Sequence, residues 1–244
     1  MRAHKWRKAL IGAPETIRLL RQTNIPKTID SEYRHIINDD LRRTYPENNW
    51  FSNHISELSN ILNLYAYTNN GMGYAQGMAF IVFILYKIYY DDEPKYASQD
   101  TYYSFHKLIT IIRPIYPLHD KDVRPNLFKD DIKRIVYLKI AHEHRYLAEK
   151  LKYYPDILPV LIYQCIPTLF ANKFAFESSC LLFDFMIVSK PVELFNRVLC
   201  VLCGIIISLK EIFLSMSFEK ILQLISAKEL YNVRKIICIA NKIK

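Results

Sequence analysis

The stretch Ile55-Ser-Glu-Leu58-Ser-Asn-Ile61-Leu62-Asn-Leu-Tyr65 repeats apolar side chains at intervals of three and four residues. This spacing places them on one stripe of an α-helix, because a helix has 3.6 residues per turn. Similar spacing recurs in most of the 244 residues, whereas sustained period-two alternation is absent. The chain has only five glycines, and sandwiches and barrels need many tight corners. The sequence therefore predicts an all-α fold.

The length is sufficient for one large domain or two small ones. A chain of this size buries roughly 70% of the surface that its unfolded form exposes, so its stability requires no disulfide or metal. We predict a single multi-helical domain over residues 1–244. A seam between two helical subdomains is possible near residues 112–130, where three prolines interrupt the helical pattern.

Apolar spacing and helix punctuation together predict a dozen helices. They run over residues 3–11, 15–22, 30–44, 52–67, 76–90, 100–112, 130–150, 156–170, 174–188, 191–208, 217–225 and 227–240. Asp30 and Ser31 are candidate caps for the third helix, and Ser226 with Glu229 has capping-box spacing ahead of the last.

Charge and cysteine content restrict the class of protein. The formal charge of +9 favours acidic partners. The basic residues are spread along the chain, and their densest run, Arg2 to Lys8, is short, so we expect no direct binding of nucleic acid. Five cysteines without regular spacing indicate a reducing compartment. Since we find no secretory signal and the longest apolar stretch, Val198 to Leu209, is shorter than a bilayer span, we expect a cytoplasmic protein.

Three of the five glycines cluster in Asn69-Asn-Gly-Met-Gly-Tyr-Ala-Gln-Gly-Met78. One interpretation is a helix C-cap followed by a tight corner. The alternative is a stiff loop that presents Gln76 at the start of an apolar helix, where its amide can donate and accept hydrogen bonds and so orient a water molecule. Spacing alone leaves both interpretations open.

A second candidate element is Ile37-Asn-Asp-Asp40-Leu-Arg-Arg43-Thr44. Asp40 and Arg43 are three residues apart on one helical face, where a carboxylate can hold a guanidinium in a fixed pose. An arginine in the last helical turn is also favoured by the helix dipole, whatever its function. Pro46 ends the helix near Thr44, which leaves Arg43 free to project over a neighbouring surface.

The pattern Ile37-x-x-Asp40-x-x-Arg43-Thr44, followed thirty residues later by Tyr74-x-Gln76-Gly77-Met78, resembles the paired signatures of the TBC domain. This domain is the GTPase-activating module for Rab-type small GTPases. Arg2-x-x-x-Trp6 resembles the first signature of the family. The likeness continues more faintly through Thr168-Leu-Phe-Ala171 and Leu181-Leu-Phe-Asp184, so it covers nearly the whole chain.

The sequence departs from the family pattern in its C-terminal half. Cys165 and Phe183 stand where the family commonly has tryptophan, and Pro167 directly precedes the Thr-Leu-Phe stretch. These departures concern core packing and do not touch Arg43 or Gln76.

The resemblance implies an activator of GTP hydrolysis that supplies two catalytic residues in trans and has no substrate site of its own. Arg43 would stabilise charge on the transferring phosphoryl group, and Gln76 would align the attacking water. Asp40 would orient Arg43. Positions that shape the two motifs would be Thr44, Gly73, Tyr74 and Gly77.

The partner implied by the resemblance is a Rab-family GTPase in its GTP form. GTP and Mg²⁺ would belong to that partner, so the chain itself would hold no cofactor and no metal. The same resemblance implies a role in vesicle traffic, with recruitment from the cytoplasm to endomembranes.

Other hypotheses remain open beside this one. The chain could be a catalytically silent α-helical adaptor that binds a small GTPase or another trafficking partner. The +9 charge would also suit peripheral association with anionic membranes, which high salt would reverse. Cys200-x-x-Cys203 lacks the four ligands of a structural zinc site, so we predict two buried thiols there.

Overall fold

The computed structural model describes residues 1–26, 28–69, 72–113, 127–226 and 232–243, except for the side chains of residues 127–130. The described residues form α-helices and short 3₁₀ helices, and no strand occurs among them. The fold is therefore all-α, as the sequence predicts. Two compact units make up the chain, one of residues 1–119 with 187–191 and the other of residues 120–186 with 192–244.

Helices α1 to α7 belong to the first unit and the later helices to the second, except for Pro191 at the start of α12. The first seven are α1 (Arg2–Leu10), α2 (Pro14–Leu20), α3 (Arg34–Arg43), α4 (Asn49–Ser52), α5 (Ile55–Thr68), α6 (Met78–Asp92) and α7 (Ala97–Ile112). The others are α8 (Leu127–Glu143), α9 (Arg145–Tyr153), α10 (Ile157–Cys165), α11 (Phe176–Met186), α12 (Pro191–Ser208), α13 (Lys210–Ser215), α14 (Phe218–Ser226) and α15 (Val233–Ala240).

The third predicted helix begins later than its candidate caps indicated. Helix α3 starts at Arg34, and neither Asp30 nor Ser31 caps it. The Ser31 hydroxyl instead donates to the side-chain carbonyl of Asn63 at 2.7 Å, and the Asp30 carboxylate pairs with Arg34 at 2.7 Å. Both side chains thus have partners other than the first amides of the helix.

Two long predicted helices end early. The segment 130–150 breaks at His144 (φ −133°, ψ 59°) into α8 and α9, with neither glycine nor proline to mark the break. The segment 156–170 is α-helical only to Cys165 and continues as a 3₁₀ helix over Ile166–Thr168, because Pro167 lacks the amide that a longer α-helix would use. The Ser226 capping box and the predicted seam depend on residues 227–231 and 114–126, which lie outside the described residues, so both stay predictions.

Helix α6 forms the centre of the first unit. It is apolar on every face and buried along most of its length, and a helix of this kind must be surrounded by other elements. Helices α1, α3, α5 and α7 pack around it. This packing brings the end of α3 beside the first turn of α6.

Helix α12 is the most deeply buried helix of the second unit. With a mean hydropathy of 1.7 over 18 residues it is long and apolar enough to cross a bilayer, yet 61% of it is buried within the protein, as in a core helix. The stretch Val198 to Leu209 is buried, as predicted. Cys165 and Phe183, where the family commonly has tryptophan, are also core residues.

The cysteine pair lies within the buried part of α12. Cys200 and Cys203 are free thiols with 3% and 0% exposure, and burial raises the pKa of Cys203 to about 12. The thiolate that would bind zinc is therefore disfavoured. Among the described residues, no group of three or more His, Cys, Asp or Glu side chains could hold a metal ion.

A buried ionic network fastens the N-terminal helices to α7. Asp100, at 1% exposure, accepts from Arg7 Nε at 2.6 Å and from Arg21 Nε and Nη2 at 2.9 and 2.6 Å. Arg7 also donates to Asp92, in the last turn of α6, at 2.6 Å. The network thus joins α1, α6 and α7 to Arg21, which directly follows α2.

Replacement of Asp100 by asparagine should destabilise the protein strongly. The substitution removes a negative charge that compensates the guanidinium groups of Arg7 and Arg21, and breaking a buried pair costs about 3–5 kcal/mol. Urea denaturation followed by circular dichroism measures the change. The control is Asp30→Asn, at an exposed pair, which should shift the free energy of unfolding by less than about 0.5 kcal/mol. Equal stability of the two variants would contradict the prediction.

Candidate functional site

Helix α3 ends at Arg43, and the chain turns sharply after it. Thr44 has an extended backbone (φ −88°, ψ 114°), and Tyr45 takes a positive φ of 46°. The Thr44 hydroxyl donates to the backbone carbonyl of Asp40 at 2.8 Å. This bond satisfies one of the carbonyl groups that have no partner within the helix at its C-terminal end. Pro46 has no amide to continue the helix. The predicted end of this helix near Thr44 is confirmed.

Aromatic packing holds this turn against α6. The Tyr45 ring lies 5.2 Å from the ring of Phe80 and 4.9 Å from that of Phe83, between centroids. A left-handed backbone costs a residue with a side chain about 1–2 kcal/mol, and aromatic pairs contribute about 0.5–1.5 kcal/mol. The packing therefore offsets the strain at the end of α3.

The loop between α5 and α6 is fixed at both ends. At its start, the carbonyl of Asn69 accepts from the amides of Met72 and Gly73 at 2.9 and 2.8 Å. Gly73 is buried and has a φ of 58°, and a Cβ there would lie 2.3 Å from Cζ of Tyr33. Only glycine fits this position, so the loop rests on the residue that precedes α3.

At the other end of the loop, the carboxylate of Asp40 makes the connection to α3. Asp40 is 4% exposed, and its Oδ2 accepts from the Tyr74 hydroxyl and from the Gly77 amide, the latter at 2.8 Å. Gly77 is the N-cap of α6 and has a φ of 98°. The carboxylate therefore lies at the positive end of the α6 dipole, which together with two hydrogen bonds offsets its burial.

The two candidate catalytic side chains are exposed beside this connection. Gln76 directly precedes Gly77, and Arg43 follows Asp40 by one helical turn. Arg43 Nε donates to the carbonyl of Asp39 at 3.2 Å. The glycine-rich segment thus forms a tight corner and also presents Gln76 to solvent, so the two interpretations of its sequence are compatible. Gly71 lies outside the described residues.

The expected contact between Asp40 and Arg43 is wrong for this structure. Asp40 is directed into the protein, toward Tyr74 and Gly77, whereas the guanidinium of Arg43 is exposed. Asp40 therefore positions the loop of Gln76, and it affects Arg43 only by anchoring α3. The sequence contained a signal for this, because Asp40 shares an apolar stripe with Ile37 and Leu41, both buried.

Sequence reasoning also missed three aromatic residues that shape the site. Tyr33 supports Gly73, and Tyr45 packs on Phe80. Aromatic residues are so frequent in this chain that composition singles out none of them. The positive φ of Tyr45 accompanies its packing on Phe80, a tertiary contact that local spacing does not reveal.

Comparisons with known proteins define the class to which this fold and site belong. The profile of the RabGAP-TBC family, described as the Rab-GTPase-TBC domain, matches residues 6–213. The chain therefore belongs to this family. No curated protein sequence matches it.

Solved structures with a similar fold include two Rab-GAP domains. The Ypt/Rab-GAP domain of Gyp1p is similar with a TM-score of 0.77 and 14% sequence identity, over 99% of this chain and 87% of that chain. The Chlamydomonas flagellar RabGAP TBC domain is similar with a TM-score of 0.65 and 16% identity, over 98% of this chain and 78% of that chain. At these identities the likeness establishes the fold.

Substitution of Asp40 by alanine should lower stability through the loss of one buried acceptor. The Tyr74 hydroxyl and the Gly77 amide would lose their partner, and hydrogen bonds to charged groups contribute about 1.5–3 kcal/mol each. We expect the free energy of unfolding to fall by about 2–4 kcal/mol. In the matched control Asp39→Ala, whose side chain is 63% exposed, the change should stay below about 0.5 kcal/mol. Similar losses in both variants would refute the role of Asp40.

Gly73→Ala should destabilise the protein through both backbone strain and overlap with Tyr33. The left-handed conformation and the overpacking together cost about 2–5 kcal/mol. In a Tyr33→Ala background, the cost of the same change should fall to about 1–2 kcal/mol. Gly12→Ala is the control, because Gly12 has a φ of 126° but a Cβ there would meet no atom within 4 Å. Denaturation of the four chains of the cycle tests this coupling, and additive costs would disprove it.

Proposed function

We propose that this chain accelerates GTP hydrolysis by a Rab-type small GTPase, with Arg43 and Gln76 supplied in trans. One observation carries the proposal: two exposed side chains of suitable chemistry lie on two elements that the buried carboxylate of Asp40 joins. Membership of the RabGAP-TBC family supports a Rab protein as the partner. The similar solved structures are also named as Rab-GAP domains.

Arg43 acts as the cation. Hydrolysis of GTP spreads negative charge over the transferring and leaving oxygens, so a cation brought into a dry interface stabilises the transition state more than the ground state. The guanidinium is exposed on the last turn of α3 and reaches a neighbouring surface without uncovering a buried group. Its planar fork can donate two hydrogen bonds to phosphate oxygens.

Gln76 aligns the attacking water. Its amide can accept a hydrogen bond from the water and donate one to an oxygen of the γ-phosphate. Because Gly73 and Gly77 fix the loop at both ends, the amide is held near its working position before the partner binds. Such prior ordering lowers the entropy that the transition state must lose.

The partner brings GTP and Mg²⁺, and the chain contributes only side chains. We place this activity in the cytoplasm, at the surface of endomembranes involved in vesicle traffic. The net charge of +9 would strengthen attraction to an anionic membrane face there.

Single-turnover GTP hydrolysis by a panel of Rab proteins tests this function. At a saturating concentration of the chain, Arg43→Ala should lower the rate of GTP hydrolysis by about 10³–10⁵-fold. Arg43→Lys should fail to restore it, because lysine lacks the planar fork. Gln76→Ala should lower the rate by about 10²-fold or more, as expected for loss of one positioned hydrogen-bonding group.

The matched controls are Arg42→Ala and Gln223→Ala. Arg42 is the neighbouring arginine, 78% exposed at its side chain, and Gln223 is an exposed glutamine on α14. Both should retain the wild-type rate. Binding without acceleration, or an Arg43→Ala rate equal to wild type, would favour a silent adaptor over an activator.

A further inference from the structure

An aromatic contact links the segments that carry the two candidate catalytic residues. Tyr45 follows Arg43 by two residues and Phe80 follows Gln76 by four, and their rings meet edge to face at 5.2 Å and 65°. Residues two apart lie within about 7 Å along the chain. The amide of Phe80 bonds to the carbonyl of Gly77 at 3.1 Å, so each ring stays close to its catalytic neighbour.

Tyr45 and Phe80 are both partly exposed residues, although the part of α6 around Phe80 is buried. Between Met78 and Tyr86, Phe80 is the only residue of α6 that is not fully buried. Tyr45 is also half-buried, and its position depends on a backbone with positive φ. The chain therefore adopts a strained conformation just after α3, and the partly exposed Tyr45 lies two residues from Arg43.

A partner that contacts Arg43 and Gln76 at once must also cover the surface between them. Tightly bound protein interfaces place aromatic side chains at their centre and polar groups around them. Here an aromatic pair adjoins a cation on one segment and an amide on the other. This arrangement fits a protein that presents an apolar side chain beside a bound phosphate.

We propose that Tyr45 and Phe80 form an apolar docking contact for the GTPase, and that they contribute to affinity rather than to the chemical step. The inference rests on the proposed function, since the occupant is the same GTPase. The pair of Tyr45 and Phe80 adjoins Arg43 and Gln76 in the chain, and this distinguishes it from the other exposed aromatic residues of the protein.

The test measures single-turnover hydrolysis, by a Rab that the panel identifies, as a function of chain concentration. Phe80→Ala should raise the half-saturating concentration by about 10–30-fold, the usual effect of removing an aromatic anchor. Because Phe83 still packs on Tyr45 at 4.9 Å between centroids, the maximal rate of this variant should fall far less than that of Arg43→Ala. Arg43→Ala should show the opposite pattern, with a lower maximal rate and a small change in half-saturation.

Further variants separate docking from folding. Phe80→Leu keeps an apolar side chain and should raise half-saturation by about 3–10-fold, less than Phe80→Ala. The control is Leu19→Ala, at an apolar side chain on α2 that is 61% exposed. Circular dichroism melts confirm that each variant is folded.

A second measurement makes the inference independent of catalysis. Titration of the Rab loaded with a non-hydrolysable GTP analogue gives the affinity directly, and Phe80→Ala should weaken it by the same factor. Unchanged affinity in folded Phe80→Ala and Phe80→Leu would overturn the docking contact while leaving the catalytic roles intact. A wild-type chain that neither binds nor accelerates any Rab would overturn both proposals. Loss of binding to phosphatidylserine vesicles alone would assign the pair to a membrane and also overturn the inference.

Discussion

The buried carboxylate of Asp40 fixes the end of α3 against the loop that leads into α6. A carboxylate removed from water needs hydrogen-bonding partners, and the Tyr74 hydroxyl and the Gly77 amide meet that need. Asp40 lies one turn before Arg43, and Gly77 directly follows Gln76. One interaction therefore sets the positions of both exposed side chains, and helix α6, buried along most of its length, gives it a rigid support.

The sequence predicted those features that depend on local pattern. Apolar spacing gave the helices, and Pro46 marked the end of α3. Local spacing could not predict the partner of Asp40, because its hydrogen bond with Gly77 joins residues 37 positions apart. The three-residue spacing between Asp40 and Arg43 indicated Arg43 instead. The break at His144 was also missed, since no glycine or proline accompanies it and only tertiary packing can maintain it.

Three residues of the site, Gly73, Gly77 and Tyr45, have a strained or crowded backbone. Gly73 and Gly77 adopt positive φ where a side chain would be unfavourable, and Tyr45 adopts it despite having one. Each is stabilised by a contact that reaches across the fold, from Tyr33, Asp40 and Phe80 respectively. The conformational entropy of these residues is thus lost when the chain folds, before any partner binds.

The structure of the chain in complex with a Rab protein, GDP and aluminium fluoride, which mimics the transferring phosphoryl group, tests this account most directly. We predict that the Arg43 guanidinium and the Gln76 amide both lie within about 3.5 Å of the fluoride group or its in-line water, with the bond between Asp40 and Gly77 unchanged. A complex in which either side chain points away from the nucleotide, or in which Asp40 leaves Gly77 to pair with Arg43, would contradict it.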